Sequence, residues 1–274
     1  VIEQLWRYDG RRAVVTGCAS GIGAHVARQL TELGADVVGL DTRRPAFDIG
    51  EFHQVDLADA ACIDRAVACL GTRVDALFNI AGVSSGIGDP LLVVTVNFLG
   101  LRHFTEAVIP LMPSGSSVVS TSSLAAADYL DHRQTVAPLL KTGSMAEGVD
   151  WCRRHPDALA GGGYRLSKEA IILYTMRSAA PLAARGIRIN CTGPGVTETP
   201  ILDQLRSAYG QEYLDDIPKP MGRTADPAEQ AAVLVFLNSQ AASYISGQVI
   251  WVDGGTVGTT IADGLQEGPA SWPA

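Results

Sequence analysis

Tyr164 and Lys168 stand four residues apart in Tyr-Arg-Leu-Ser-Lys, a spacing that places both side chains on one face of a helix. A phenol is a poor base near its ordinary pKa of about 10, and a neighbouring ammonium favours its ionised form. Such a pair suits proton exchange with an alcohol. The phenolate takes the hydroxyl proton on oxidation, and the phenol protonates a developing alkoxide on reduction. Lysine occurs only at 141, 168 and 219, against many arginines, so its placement at 168 is notable. The Tyr-Lys spacing is common by chance and gains meaning from its company. Ser122-Ser123 close an upstream strand; Ser123 is the preferred hydroxyl for holding a carbonyl oxygen beside Tyr164, with Ser122 its rival. Asn97, in an apolar helical stretch, is expected to hold a water beside Lys168 through its backbone carbonyl; the plain alternative is a partly buried polar helix residue.

A hydride partner is suggested further upstream. Thr16-Gly17-Cys18-Ala19-Ser20-Gly21-Ile22-Gly23 follows a strand and opens a helix. Gly17 permits a sharp turn, while Gly21 and Gly23 let backbone approach a pyrophosphate and let helix meet sheet. Ser20 and Ile22 lie in the same turn, where the helix N-terminus offers free N–H groups to a diphosphate. Asp41, 18 residues beyond Gly23, ends the second strand; a carboxylate there accepts ribose hydroxyl protons and repels a 2'-phosphate. NAD is therefore expected over NADP, with Arg43 and Arg44 read as solvated surface charge. Asp56-Leu57 follow a third strand, where Asp56 is expected to take the adenine amino group or else cap a turn. Asn79, Ala81 and Gly82 lie at the next carboxyl end; the small residues leave room for the adenine ribose, and Asn79 is expected to tie strands through backbone bonds. Pro194, Gly195, Val196, Thr197 and Thr199 follow another strand and are expected to grip the nicotinamide carboxamide, with Glu198 solvated or at a hinge.

These groups need a frame. Short branched-apolar strands at Arg12–Thr16, Asp36–Leu40, Glu51–Val55, Asp75–Phe78, Ser117–Ser120, Ile187–Cys191 and Val249–Val252 alternate with helical stretches at Ile22–Leu33, Ala60–Leu70, Leu92–Ile109, Ala170–Ala184 and Pro227–Asn238. That order implies βαβ units and a parallel sheet covered on both faces. Leu124–Gly163 breaks the rhythm with Pro138, Pro156 and a Gly161-Gly162-Gly163 ending; short helices are predicted around Thr135–Leu140 and Met145–Arg154. A segment this long inside a compact domain is functional or carries structure of its own.

With 274 residues and 47% hydrophobic content, the chain is expected to build one domain over 1–274, with 124–163 inserted and 196–222 forming a substrate lid. The formal net charge of -8 disfavours nucleic-acid binding. The five cysteines, scattered without CxxC pairs, read as free thiols in a reducing compartment, and no ligand spacing for a metal is present. Apolar runs such as Ala231–Leu237 are shorter than a bilayer span, so no membrane partner and a cytoplasmic location are expected.

Taken together, Thr16–Gly23, Asn79–Gly82, Asn97, Ser123, Tyr164, Lys168 and Pro194–Thr199 resemble the classical short-chain dehydrogenase/reductase family over about Arg12 to Gly255. The resemblance implies a Rossmann-type, doubly wound three-layer α/β sandwich with a seven-stranded parallel sheet, and an Asn97-Ser123-Tyr164-Lys168 tetrad. The 41-residue separation of Ser123 and Tyr164 exceeds the family's usual spacing. That insertion, Gly193–Pro200 and Pro220-Met221-Gly222-Arg223 are similar to the bacterial 3-alpha-hydroxysteroid dehydrogenase/carbonyl reductase subgroup. This likeness implies NAD(H), a small-molecule alcohol or ketone of alicyclic or steroid-like kind, and a homodimer, with a homotetramer as the alternative. By the same likeness, 124–163 shapes the cleft edge and contacts a partner, with simple solvent-exposed cover as the competing reading. Rival functions are a dehydrogenase for a smaller terpene, aromatic or cyclic alcohol, and a nucleotide-binding protein without turnover.

Overall fold

Strands whose residues are buried on both faces need layers on both sides, and the strand interiors of this chain are of that kind. In the computed structural model, which describes residues 2–263, β1 (Arg12–Thr16), β4 (Ala76–Asn79) and β5 (Ser117–Thr121) are buried almost throughout. Successive side chains leave a strand on opposite faces. Val14, Val38, Leu77 and Val118 accordingly enter one apolar cluster, while Val15, Val37, Phe78 and Val119 enter the other. With β2 (Asp36–Asp41), β3 (Glu51–Gln54), β6 (Arg188–Pro194) and β7 (Val249–Val252) they form one seven-stranded sheet in the order β3-β2-β1-β4-β5-β6-β7. Every pairing is parallel.

One face is covered by α1 (Gly21–Glu32) and, later in the chain, by a helix over Pro227–Asn238. The other carries α2 (Ala60–Cys69), α3 (Pro90–Val94) and α4 (Leu101–Val108). Local chemistry fixes several starts. Asp59 accepts the Ala61 N–H ahead of α2, and Asp89 precedes Pro90 at the first turn of α3. The single helix expected over Leu92–Ile109 is instead interrupted by a π-helical stretch, Thr95–Gly100, with Asn97 at its centre. Gly100 is pressed there against the Leu57 carbonyl. The whole helical run Pro90–Leu111 is long and apolar enough to span a bilayer by composition, contrary to the expectation from shorter windows, and most of it is buried inside the protein.

The segment after β5 contains α5 (Arg133–Leu140) and α6 (Met145–Arg154), close to the predicted helices. Val136, Leu139, Met145, Trp151 and Cys152 are buried in the cluster shared with α4 and α7 (Tyr164–Ala183). Arg102 of α4 reaches into the turn between α5 and α6, donating to the Leu139 and Ser144 carbonyls and to the Thr142 hydroxyl. The helix expected from Ala170 begins at Tyr164. Gly163 makes this start possible: it has φ +72°, and a Cβ on it would stand 2.4 Å from the Pro90 carbonyl oxygen. Next come α8 (Pro200–Tyr209) and α9 (Gln211–Asp215), then α10 (Pro227–Asn238), opened by an Asp226/Glu229 capping box, and α11 (Thr256–Asp263).

Candidate active site

Because all strands run parallel, their carboxyl ends share one edge, and the strand order reverses between β1 and β4. Ligands of open α/β sheets bind in the crevice outside that reversal. The β1–α1 turn lies at this point. A Cβ on Gly17 (φ +73°) would meet the Ala81 backbone at 2.8 Å, and one on Gly23 would meet the Gly17 carbonyl oxygen at 2.1 Å. The loop is thus packed so closely that only glycine fits. Ser20 caps α1 without spending its hydroxyl on a helix N–H, so Gly21, Ile22 and Gly23 present the free donors of a first helical turn. Gly21 also faces Thr199, whose Cγ2 would lie 3.2 Å from an added Cβ.

Asp41 is anchored beside this loop. Its carboxylate accepts the Ala19 N–H (3.0 Å) and the Arg43 N–H (3.1 Å). Asp56 is exposed and accepts the Ala58 N–H at 2.8 Å, the turn-capping geometry; Leu57 is buried. Asn79 joins strands by its side chain rather than by the expected backbone bonds: Nδ2 donates to Ser120 on β5 and to Thr105 on α4. Tying the β4 turn to β1 falls to Thr16, whose Oγ1 accepts the Ile80 and Ala81 N–H groups. No role for Thr16 was legible beyond its place at the head of the glycine run. An added Cβ on Gly82 would lie 3.1 Å from Asn97 Oδ1 and 3.6 Å from Lys168 Nζ, so this turn closes over both side chains.

Lys168 is 5% exposed, and its ammonium donates to the Thr121 carbonyl at 2.9 Å and lies 5.5 Å from the centre of the Tyr164 ring. Burial pulls its pKa down to about 8. Tyr164 is half-buried, and its phenol is held above the ordinary value, first by burial; the Ser123 hydroxyl opposes this and Tyr213 adds to it. The two serines separate cleanly. Ser122 spends its hydroxyl on the Lys168 carbonyl at 2.7 Å, whereas Ser123 faces the Tyr164 phenol and caps a short 3₁₀ turn through the Ala125 N–H. Asn97 is fully buried, and its amide clamps Val83 in both directions, accepting its N–H (2.8 Å) and donating to its carbonyl (2.9 Å). Its Nδ2 also meets the Ser167 hydroxyl at 3.3 Å.

Pro194 ends β6, and Gly195 is pressed against Asp253, where an added Cβ would stand 2.7 Å from its Cα. Val196 accepts the Ala225 N–H, Thr197 Oγ1 donates to the Gly195 carbonyl, and Thr199 Oγ1 donates to the Thr197 carbonyl. Glu198 is exposed and accepts the Thr224 hydroxyl, consistent with a solvated role. Beyond it, α8 lies over the loop after β4, where Ser84 donates to Gln204 at 3.0 Å.

A glycine-cradled helix N-terminus at the sheet reversal and the Ser123, Tyr164 and Lys168 side chains thus share the carboxyl edge of the sheet. The chain belongs to the short-chain dehydrogenase/reductase family and is an oxidoreductase of it. It is 37% identical to a coniferyl-alcohol dehydrogenase of Pseudomonas sp., covering 92% of this chain and 98% of that one. It is 32% identical to the 3-alpha-hydroxysteroid dehydrogenase/carbonyl reductase of Comamonas testosteroni, over 88% and 95% of the two chains. Residues 157–257 match the enoyl-(acyl carrier protein) reductase family model, and residues 13–142 match the NAD dependent epimerase/dehydratase family model. Among solved structures, the 3-alpha-hydroxysteroid dehydrogenase from Pseudomonas sp. B-0831 complexed with NADH is similar, with a TM-score of 0.79, 28% identity, and coverage of 92% and 98%.

Proposed function

We propose that this chain is an NAD(H)-dependent dehydrogenase that interconverts an alcohol and its carbonyl compound, with Tyr164 as the acid/base. The observation that carries the reading is the buried Lys168 ammonium beside the Tyr164 ring, with Ser123 at the phenol oxygen. The close-packed glycine turn and the anchored Asp41 carboxylate fit a dinucleotide. Gly17, Ser20, Gly21, Ile22 and Gly23 hold its diphosphate, and Asp41 takes the adenosine ribose hydroxyls and disfavours a 2'-phosphate. Asp56 and Leu57 border the adenine; Asn79, Ala81 and Gly82 border its ribose; Pro194–Thr199 hold the carboxamide. When bound, the dinucleotide supplies the hydride acceptor or donor.

The chain's own groups handle the proton. On oxidation the Tyr164 phenolate takes the alcohol's hydroxyl proton, and on reduction the phenol returns it to the oxygen. Ser123 holds that oxygen within reach. Lys168 lowers the cost of the phenolate and has donors left for the nicotinamide ribose. Asn97 fixes the Val83 turn, and its carbonyl holds a water beside Lys168. Segment 196–222 acts as the lid of a single catalytic domain.

The first reading of the substrate is a secondary alcohol and ketone of alicyclic or steroid-like kind, supported by the hydroxysteroid-acting relatives. An aromatic alcohol is the second reading, favoured by the coniferyl-alcohol relative and by the paired tyrosine rings of the lid. We further propose a homodimer. A cytoplasmic setting is supported by five free cysteines, three of them buried. The test is a panel of alcohols and ketones followed by NADH absorbance, run in parallel with NADPH. Turnover with an NADH preference is expected. Nucleotide binding without turnover across the panel identifies a silent binder, and an NADPH preference overturns the role of Asp41.

A further inference from the structure

The helix start that carries Tyr164 has no side-chain cap. It is entered through Gly161-Gly162-Gly163, whose φ values are +71°, +84° and +72°. Lateral contacts therefore set how the first turns of α7 are rotated. On one flank Asn97 Nδ2 donates to the Ser167 hydroxyl, which donates in turn to the Tyr164 carbonyl at 2.7 Å. The opposite flank carries Arg165 and Glu169, each one residue past Tyr164 and Lys168 and so about 100° round the helix from them. Glu169 is 2% exposed, and its closest side-chain partner comes from the insertion: His132 Nδ1 lies 2.6 Å from its Oε1. Arg165 Nη1 lies 3.4 Å from Nε2 of the same ring, and its Nε lies 4.0 Å from Glu169. A carboxylate only accepts, so Nδ1 carries the proton, and in the neutral ring Nε2 is left to accept from Arg165. His132 is itself held in place. Its N–H donates to the Asp128 carbonyl, and its carbonyl accepts the Thr135 and Val136 N–H groups at the head of α5. The trio lies outside both the dinucleotide turn and the proton path derived above.

We propose that His132 is a positioning residue for the acid/base: reaching out of the insertion, it holds Glu169 and thereby fixes the rotation of the α7 turns that present Tyr164 and Lys168. A buried carboxylate ties its helix to the partner that matches it, since breaking the pair leaves the charge uncompensated. Placement matters here because proton transfer needs the phenol within hydrogen-bond reach of the reacting oxygen. A misplacement of about 1 Å costs up to roughly a hundredfold in rate. The dinucleotide turn lies between β1 and α1, away from this contact, so the effect falls on the chemical step rather than on NADH binding. The inference rests on the reading of Tyr164 as the acid/base and adds to it a residue of the insertion.

The test uses the full chain with NAD and whichever of a 3-alpha-hydroxysteroid and coniferyl alcohol the wild type oxidises faster. His132→Ala is expected to lower kcat about tenfold, with KM and the NADH dissociation constant held within about twofold. His132→Asn, whose amide nitrogen takes the place of Nδ1, is expected to stay within about threefold of wild type. His132→Ala leaves a buried carboxylate unpaired, so a double variant, His132→Ala with Glu169→Met, separates folding from placement. Its melting temperature is expected to return toward wild type while its kcat stays low. Full kcat in His132→Ala, a His132→Asn variant as slow as His132→Ala, or a double variant whose activity returns with its stability overturns the inference and leaves the Tyr164 reading standing. Wild type that binds NADH but oxidises neither probe overturns the Tyr164 reading and the inference with it.

Discussion

Replacing Lys168 with Met is expected to stabilise the protein while removing its activity. Lys168 is 5% exposed and has a backbone carbonyl as its bonded partner, so its ammonium is held at a cost. Burial lowers its pKa from 10.5 to about 8. At about 1.4 kcal/mol for each tenfold change, that corresponds to roughly 3 kcal/mol against folding wherever the unfolded chain carries the proton. Losing the bond to the Thr121 carbonyl returns about 1 kcal/mol of this. The net gain is on the order of 2 kcal/mol, or several degrees in Tm for a domain of this size. The pH dependence has a definite sign. Between pH 8 and 10.5 the unfolded chain binds more protons at this site than the folded chain, so wild-type stability from Lys168 rises across that window. The advantage of Lys168→Met is therefore full below about pH 8 and fades as pH approaches 10.5. Denaturant unfolding of both proteins at a series of pH values measures it. A variant less stable than wild type at neutral pH, or an advantage that does not shrink across the window, refutes the reasoning.

Other perturbations follow from the same geometry. Gly23→Ala places a methyl 2.1 Å from the Gly17 carbonyl oxygen and forces the phosphate turn apart; NADH affinity by fluorescence titration is expected to fall at least about tenfold, with about 1–3 kcal/mol lost in stability, and unchanged affinity would contradict the cradle. Arg102→Met removes the guanidinium that joins the Leu139 and Ser144 carbonyls to the Thr142 hydroxyl; both carbonyls keep other donors, so the loss is that of the bridging bonds from a charged donor, about 1.5–3 kcal/mol each. Limited proteolysis between residues 139 and 145 is expected to accelerate, and an unchanged cleavage rate would show that Arg102 does not pin this turn. A folded chain shortened within 124–163 is expected to lose its dimer in a solution-mass measurement; the same mass as a multiple of the shortened chain would count against a dimer role.

The sheet was legible because its strands carry unbroken apolar character. Val14-Val15 and Val118-Val119 supply both clusters at once, and that is readable without knowing what lies above or below. The glycine turn and the Tyr164–Lys168 spacing were legible because local backbone geometry dictates both. Other features depend on distant partners. The π-helical stretch around Asn97 lies where Gly100 meets the Leu57 carbonyl, a contact across 43 residues of sequence that no periodicity encodes. Ser122 and Ser123 differ in which way each side chain leaves the end of β5, and Ser122 turns to the carbonyl of Lys168, a partner 46 residues away that no local pattern encodes. The phenol of Tyr164 is raised first by burial, and Tyr213, from a segment about fifty residues later, adds to the rise through its charge. Local pattern sets what each residue is able to do; packing against distant segments sets how strongly it is biased.

The central claim is that the Tyr164 oxygen carries the proton while the dinucleotide is held by other groups. Tyr164→Phe tests it most directly, with NADH dissociation and steady-state turnover of one competent substrate measured on the same preparation. Turnover is expected to fall by about a hundredfold or more with NADH binding nearly unchanged. A phenylalanine variant that still turns over at the wild-type rate would contradict the account.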